Sequence, residues 1–273
     1  MASQTLQASI GSLNLHKPHL ISIHPNASIS SVLDVLKKHN IISIPILSHS
    51  KDEYMGIISV FDICCYILRT GNFDHHIESA FSLNSGDESF LLQEVDTHDS
   101  IKEVMQTLCK SHRVLVTNKQ LHYMISQTDI VNYLYTNNVN PELQSKSLNQ
   151  VLQKHDMVYL TTDITAKKGF ELLKSKNHLA LPIVDQNKAF VHVLSSSDLR
   201  GMNKSTFKML DLTIIEFLKA INKPIAQTCL LSTTLKEVMK SSIENMAHRT
   251  FIVDSSQVIN VMSLTDIIKL FLQ

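Results

Sequence analysis

The stretch Leu194-Ser195-Ser196-Ser197-Asp198-Leu199 decides the fold, because its pattern of an apolar residue, Ser-x-x-Asp and a second apolar residue occurs four times. The other stretches with this pattern run from Ile58 to Ile63, from Ile125 to Ile130 and from Met262 to Ile267. Successive Asp residues of the pattern are 67, 69 and 68 positions apart. A constant period is typical of a repeated supersecondary unit. The sequence therefore predicts four copies of one unit, each with the same Ser-x-x-Asp near its end.

The same elements are predicted around the Asp of each copy. Apolar residues at i, i+3, i+4 and i+7 indicate an amphipathic helix, as in residues 29–36 of the first copy. A short strand precedes this helix, two strands rich in Ile, Val and Leu follow it, and a second helix follows the Asp. Candidate N-caps of the amphipathic helices are Asn26, Thr97 or Asp99, Asp163 and Ser232. Each copy is therefore predicted to be a β-α-β-β-α unit, which makes the fold class α+β (mixed α/β).

The composition limits the possible functions. The 273 residues include 25 Lys+Arg and 25 Asp+Glu, a balance that argues against a nucleic-acid or membrane partner. Six glycines are too few for the Gly-rich phosphate loops of kinases, P-loop proteins and Rossmann domains. No nucleophile–base pair or metal triad occurs at an interpretable spacing, so neither an enzyme nor a metal site is expected. Four cysteines without a CxxC pair, and a start that does not read as a signal peptide, predict a cytoplasmic or nuclear location.

The strand ahead of the acid carries a family resemblance. It reads Leu181-Pro182-Ile183-Val184-Asp185 in the third copy and Arg249-Thr250-Phe251-Ile252-Val253-Asp254 in the fourth. A β-α-β-β-α unit with such a strand and a final Ser-x-x-Asp resembles a cystathionine-β-synthase (CBS) domain, most closely in these two copies. Four such units in one chain resemble the gamma subunit of AMP-activated protein kinase and its gamma-like relatives. The resemblance implies that the four CBS repeats pair into two Bateman modules.

The domain boundaries are predicted from the repeat and from the connectors. Residues 206–221 are amphipathic and are predicted to be helical, with Pro224 just beyond their end. The predicted parts are an N-terminal segment (1–19), CBS repeat 1 (20–70), CBS repeat 2 (90–137), CBS repeat 3 (156–203), a linker helix (204–224) and CBS repeat 4 (225–273). The resemblance to the CBS family covers all of these parts except the first.

The repeated acid is the candidate ligand for the sugar of a nucleotide. It follows a strand and opens a helix, where a carboxylate can accept hydrogen bonds from both hydroxyls of a ribose. In the CBS family this acid binds ribose, and the resemblance gives that role to Asp62, Asp129, Asp198 and Asp266. The alternative is a capping box, because Ser-x-x-Asp ahead of an apolar run also closes a helix N-terminus. Capping requires neither the same upstream strand nor a constant period, which favours nucleotide binding.

Two His-Arg pairs are the candidate phosphate ligands. His112-Arg113 and His248-Arg249 begin the strand after the amphipathic helix in the second and fourth copies. Arg offers a planar fork of donors that suits phosphate, and a neighbouring His can add another donor. The resemblance implies the same role, because gamma subunits hold phosphates with His-Arg at these positions, and Thr265 could add a hydroxyl contact. The alternative is that both pairs are solvated strand ends.

The first and third copies depart from the family pattern. Gamma subunits commonly have further basic residues at the corresponding strand starts, where this sequence has Ile42 and Asn177-His178. Fewer positive charges predict a weaker grip on phosphate, so at least one crevice is expected to be empty or to prefer adenosine-like ligands.

The resemblance and the residues together predict a regulatory, energy-sensing subunit of a protein kinase complex. AMP, ADP or ATP would compete for the crevices between copies and bias the packing of the CBS pairs, and no further cofactor is expected. The expected partners are kinase catalytic and scaffold subunits, since this chain encodes no kinase. The alternative is a CBS-fold interaction scaffold that has degenerate ligand sites and regulates a kinase or a phosphatase.

Overall fold

The computed structural model describes residues 5–13, 15, 20–49, 53–83, 92–117, 122–154 and 156–273. The chain forms two compact units. Unit 1 comprises Met1–Leu20, Leu92–Met157 and Gln227–Gln273, and so contains the second and fourth copies. Unit 2 comprises Ile21–Leu91 and Val158–Ala226, and so contains the first and third copies. The predicted fold of four repeats in two pairs is confirmed, and the copies that pair alternate along the sequence.

The first two copies have the predicted order of elements, except that an isolated bridge at Ile23 takes the place of the strand predicted before the amphipathic helix of the first copy. The first copy contains α1 (Ile29–Lys38), β1 (Ser43–Leu47), β2 (Tyr54–Ser59) and α2 (Val60–Thr70), and α3 (Ile77–Ser82) follows it. The second copy contains β3 (Gln93–Asp96), α4 (Ile101–Ser111), β4 (Arg113–Thr117), β5 (His122–Ser126) and α5 (Gln127–Thr136). Two short helices follow it, α6 (Pro141–Ser145) and α7 (Leu148–Val151), and a 3₁₀ helix at Ile10–Leu13 precedes both copies.

The last two copies have the same order with one change. The third copy contains β6 (Leu160–Thr161), α8 (Ala166–Ser175), β7 (Ala180–Val184) and β8 (Phe190–Ser195), and it ends in a 3₁₀ helix at Ser196–Leu199. A 3₁₀ helix at Phe207–Asp211 and α9 (Ile214–Ala220) follow it. The fourth copy contains β9 (Thr228–Cys229), α10 (Leu235–Glu244), β10 (Arg249–Asp254), β11 (Gln257–Ser263) and α11 (Leu264–Leu272).

Each copy builds one small sheet around a hairpin. In the last three copies the strand before the amphipathic helix pairs in parallel with the strand after it, which pairs antiparallel with the next strand. The resulting orders are β3-β4-β5, β6-β7-β8 and β9-β10-β11. In the first copy β1 and β2 form the hairpin, and Ile23 makes an isolated parallel bridge to Ile46 at the place of the missing strand. Each Ser-x-x-Asp thus follows the last strand of a hairpin.

Each unit has a hydrophobic core formed by the apolar stripes of its amphipathic helices. The stripe of α1 is at most 1% exposed at Ile29, Val32, Leu33 and Leu36. The corresponding stripes of α4, α8 and α10 are also buried. In unit 2 the rings of Phe170 and Phe217 pack edge to face, with centroids 5.7 Å apart. Burial of these stripes is therefore what stabilises the helices, as their periodicity predicts.

The N-caps of three amphipathic helices lie two residues later than the predicted Asn26, Asp163 and Ser232. The N-caps are Ser28, Ser100, Thr165 and Thr234, and the hydroxyl of each accepts the backbone N–H three residues on. A hydroxyl directly before the first apolar helical residue reaches that N–H, so the predicted positions fall in the preceding turn. The same reason explains the second copy, where Ser100 lies directly before Ile101 and is the N-cap instead of Thr97 or Asp99.

The predicted linker helix over 204–224 is wrong in two respects. It is interrupted after Asp211, because Thr213 begins a new helix with a capping box to Glu216. It is also part of unit 2, since Thr213 makes an antiparallel bridge to Thr165 at the start of α8. The other amphipathic helices have equivalent bridges from their N-caps: Ser28 to His76, Ser100 to Ser9 and Thr234 to Ser147. A short helix therefore packs at the start of every amphipathic helix.

Parts of three predicted domains lie outside the described residues. These parts are residues 1–4, 14 and 16–19 of the N-terminal segment, residues 50–52 of the first repeat, and residues 90, 91 and 118–121 of the second repeat. The described part of the N-terminal segment includes Ile10, which is fully buried in the core of unit 1. That part therefore belongs to the packed core of unit 1.

Candidate functional site

The four repeated acids lie at helix N-termini. Asp62, Asp129 and Asp266 are in the first turns of α2, α5 and α11, and Asp198 is in the 3₁₀ helix at Ser196–Leu199. In every copy the carboxylate atom Oδ2 accepts the backbone N–H of the Ser three residues earlier, at 2.7 to 3.1 Å. The capping alternative is thus realised through Oδ2 in all four copies. Ribose binding would depend on the other carboxylate oxygen, Oδ1, and stays a proposal.

The pairing of the hairpin strands shows which residues correspond between copies. Arg113 and Arg249 are the residues paired with the Ser of the pattern in the second and fourth copies. Ser43 and Ala180 occupy this place in the first and third copies. A guanidinium at this register therefore occurs in both copies of unit 1 and in neither copy of unit 2.

The residue before this register position also corresponds in all copies. Its backbone carbonyl accepts a hydrogen bond, at 2.8 to 3.3 Å, from the residue after the Ser, and it is Ile42, His112, Leu179 or His248. The interpretation of Asn177-His178 as the equivalent pair in the third copy is therefore wrong by two positions. The left-handed residue that ends the helix is His112 itself in the second copy, with φ 60°. In the third copy it is Asn177, and two further positions follow before Ala180, so a count from the helix end misaligns the copies.

In unit 1 the second and fourth copies meet at Gln127. The side-chain Nε2 of Gln127 donates to the carbonyl of Leu108 at 2.9 Å and to the hydroxyl of Thr265 at 2.8 Å. His112 also forms a side-chain hydrogen bond with Gln127. Two predicted phosphate ligands from different copies, His112 and Thr265, are therefore joined through a residue that the sequence reading missed. Its signal was its place directly after the Ser of the pattern, where the other copies have Val60, Ser196 and Leu264.

Arg249 supplies the positive charge of this group. Burial lowers the pKa of Arg249, and the negative charge of Asp266 opposes that effect. Burial also lowers the pKa of His112, and the charges of Arg249 and Arg113 lower it further, whereas the hydrogen bond that His112 makes to Gln127 raises it. A guanidinium stays protonated at neutral pH, whereas a histidine with a lowered pKa is neutral there. Unit 1 thus places a half-buried cation beside a neutral imidazole, a hydroxyl and a carboxylate.

In unit 2 lysines contact the repeated acids. Nζ of Lys174 in α8 lies 3.8 Å from Oδ1 of Asp62, and Nζ of Lys223 lies 2.6 Å from Oδ2 of Asp198. Neither lysine was singled out from the sequence, because each is far from its acid along the chain.

The predicted sugar ligands Asp62 and Asp198 are in unit 2, whereas all the predicted phosphate ligands are in unit 1. Asp129 and His248 lie in unit 1, and the His248 side chain is exposed.

Other kinds of site find no support in the part of the chain that the structure describes. No group of three His, Cys, Asp or Glu side chains there is placed to hold a metal ion. None of the described helices combines the length and the apolar character that a bilayer span requires. All four cysteines are free, and burial raises the pKa of Cys65 to about 12. The polar group around Gln127 and Arg249 is therefore the candidate site.

Comparisons with known families agree with this architecture. The CBS domain family matches residues 10–69 and 149–202. These ranges include most of the first and third copies. The prediction that the third and fourth copies fit this family best is thus right for the third copy, while the other matched range falls on the first.

Comparisons with individual proteins extend over nearly the whole chain. A curated relative, the SNF1-related protein kinase regulatory subunit gamma-like PV42b of Arabidopsis thaliana, is 21% identical over 97% of this chain and 95% of its own. A crystal structure of a Methanocaldococcus jannaschii protein, described as a suggested archaeal homologue of g-AMPK, matches with a TM-score of 0.76 and 14% identity, covering 96% of this chain and 99% of that one. A conserved Pyrococcus horikoshii protein matches with a TM-score of 0.60, 14% identity and the same coverage. The four-repeat fold is therefore shared with solved structures.

Proposed function

We propose that this chain, in which residues 10–69 and 149–202 match the CBS domain family, is an adenine-nucleotide-binding regulatory subunit of a protein kinase complex. The observation that carries the proposal is the polar group of unit 1. Side chains from the second and fourth copies, His112 and Gln127 on one side and Arg249, Thr265 and Asp266 on the other, are coupled there. Such a group spans two copies, so a ligand that binds it would contact both.

The chemistry of the group suits a nucleoside phosphate. The second carboxylate oxygen of Asp266 would accept the ribose hydroxyls while Oδ2 caps α11. The Arg249 guanidinium would donate to phosphate oxygens in a partly buried place, where charge-assisted hydrogen bonds are strong. The Thr265 hydroxyl accepts from Gln127 and still has its own proton to donate. Asp129, with Arg113 and His248, is the proposed second ligand position in unit 1.

The proposed regulatory role depends on differential binding. AMP, ADP and ATP differ in charge, and a ligand shifts a conformational equilibrium only by its difference in affinity for the two states. The proposed partners are kinase catalytic and scaffold subunits, which the similarity to a gamma-like kinase regulatory subunit supports. The proposed place of action is the cytoplasm or the nucleus, because the four thiols form no disulfide.

Isothermal titration calorimetry with AMP, ADP and ATP tests nucleotide binding. Arg249→Ala is expected to weaken AMP binding by about 1.5–3 kcal/mol, or roughly 10- to 150-fold, the loss of a charge-assisted contact. Arg69→Ala is the matched control, because Arg69 is an exposed arginine of α2 in unit 2. Equal AMP affinity of the Arg249→Ala and Arg69→Ala variants would show that Arg249 has no phosphate role.

A second candidate function is an interaction scaffold with degenerate ligand sites. The lysines that contact Asp62 and Asp198 favour it, because they occupy acids that the family uses for ligand. The two candidates differ in thermal shift, since a ligand that binds only the native state must stabilise it by mass action. A protein without any shift at millimolar AMP and ATP, but with retained binding to purified kinase subunits in size-exclusion chromatography, would be the scaffold.

A further inference from the structure

The end of α9 holds Lys223 in a fixed place. The backbone N–H of Lys223 donates to the carbonyl of Leu218, and that of Asn222 donates to the carbonyl of Lys219, both at 3.0 Å. Asn222 has φ 51°, so this pair of bonds is a Schellman motif with a left-handed asparagine. Pro224 follows and cannot continue the helix. The backbone thus sets the direction in which the Lys223 side chain leaves the helix.

The ammonium of Lys223 binds two acceptors in the third copy. Its Nζ donates to Oδ2 of Asp198 at 2.6 Å and to the carbonyl of Val193 at 2.8 Å. The side chains of Lys223 and Asp198 are 15% and 6% exposed, so water screens this pair little. The same Oδ2 accepts the N–H of Ser195 at 2.7 Å. Asp198 is therefore neutralised and hydrogen-bonded by the chain itself.

The other described ion pair at a repeated acid is much looser. Lys174 lies 3.8 Å from Asp62, and its side chain is 41% exposed, so this pair contributes little. The third copy also lacks a guanidinium at the register of Arg249, where it has Ala180. Among the described ion pairs at the repeated acids, that of Asp198 with Lys223 is thus the shorter, and the third copy also has no arginine at this register to bind phosphate.

We propose that Lys223 closes the ligand position of the third copy, so that Asp198 holds the segment after α9 in place and binds no nucleotide. The Asp198 side chain is only 6% exposed with Lys223 bound to it, so a ribose could reach its other oxygen, Oδ1, only if the Lys223 side chain moved away, which would leave a buried ammonium without its counter-charge and is strongly unfavourable. None of the described ion pairs joins a lysine to Asp266, so Asp266 serves as the comparison. Only this comparison rests on the proposed function. The inference limits the nucleotide positions to the other copies.

A double-mutant cycle tests the ion pair of Lys223 and Asp198 without any ligand. Lys223→Met and Asp198→Asn are each expected to lower the thermal midpoint by about 5–10 °C, and the double variant by clearly less than the sum, because each single change leaves a buried charge unpaired. The exposed pair Lys204 and Asp74, at 64% and 80% exposure, is the matched control and should show no coupling. If Lys223→Met does not fold, Lys223→Gln, which keeps a donor, replaces it. Additive effects of the Lys223 and Asp198 changes would overturn the inference.

Titration with AMP separates the inference from the proposed function. Asp198→Asn is expected to leave the number of bound AMP molecules and their affinity within twofold of the unmodified chain, while Asp266→Asn loses a binding event. A loss of bound AMP in Asp198→Asn would overturn the inference and leave the proposed function intact. Absence of AMP binding to the unmodified chain would overturn the proposed function, and the coupling of Lys223 with Asp198 would then decide the inference alone.

Discussion

Replacing Gln127 by Leu would remove the hydrogen-bonded link between the second and fourth copies. The Gln127 side chain is 7% exposed and donates to Leu108 in its own copy and to Thr265 in the fourth copy. Leu has a similar size, so the change mainly removes polar contacts and leaves the packing volume nearly unchanged. The Leu108 carbonyl keeps the N–H of His112 as a donor, at 3.1 Å. The main losses are therefore the hydrogen bonds of Gln127 with Thr265 and with His112.

The magnitude follows from these two hydrogen bonds. A typical intramolecular hydrogen bond contributes about 0.5–1.5 kcal/mol, so Gln127→Leu is expected to lower the free energy of unfolding by about 1–3 kcal/mol. Thr265→Val removes one of the two bonds and is expected to cost about 0.5–1.5 kcal/mol. Because both changes remove the bond between Gln127 and Thr265, the double variant should lose less than the sum, with a coupling of about 0.5–1.5 kcal/mol.

Urea denaturation of the four proteins in the cycle measures these values. Gln106→Leu on the exposed face of α4 is the matched control, and it is expected to change stability by less than about 0.5 kcal/mol. Single-variant effects that add without coupling would refute the link between the second and fourth copies. A loss in Gln127→Leu no larger than that of Gln106→Leu would refute the energetic argument as a whole.

Three further predictions concern one residue each. Since burial lowers the pKa of His112 below its ordinary 6.5, unfolding takes up a proton at this residue as the pH falls. The free energy of unfolding measured in urea should therefore decrease below about pH 6.5, and His112 should contribute no pH dependence above it. His112→Asn should flatten the decrease. Since burial raises the pKa of Cys65 to about 12, Ellman's reagent at about pH 8 should label this half-buried thiol far more slowly than free cysteine, and labelling of Cys65 in the native protein at the rate of free cysteine would contradict the raised pKa. Phe170→Ala in the core of unit 2 should lower the free energy of unfolding by about 3–5 kcal/mol in urea, and a loss below 1 kcal/mol would mean that the site collapses around the missing ring.

The repeat architecture could be predicted because its evidence is local. The Ser-x-x-Asp pattern sits at the end of a hairpin strand in every copy, and the apolar stripe of each amphipathic helix is buried as its period requires. The N-caps were misplaced by two residues because turns and caps use the same polar residue types. The alternation of copies between the units has no local signal, since nothing in one copy specifies which other copy it packs against.

The candidate site was predictable in its parts but not in its assembly. His112 and Arg249 were found because each belongs to a His-Arg pair that occurs in two copies. Their coupling across these two copies depends on the packing of unit 1. Lys223 could not be found, because its contact with Asp198 depends on where α9 ends and on the left-handed Asn222. The role of each acid is thus determined by residues of other segments, which the repeat itself does not encode.

The alternation of copies has a consequence for any attempt to divide this protein. A cut near Pro141, which lies between the second and third copies, would leave each fragment with one copy from each unit. Each fragment would then expose the apolar surface that its absent counterpart should cover, as in residues 1–140, which keep α1 and α4 without α8 and α10. Separately expressed halves should therefore be insoluble alone and recover the native fold only when they are produced together.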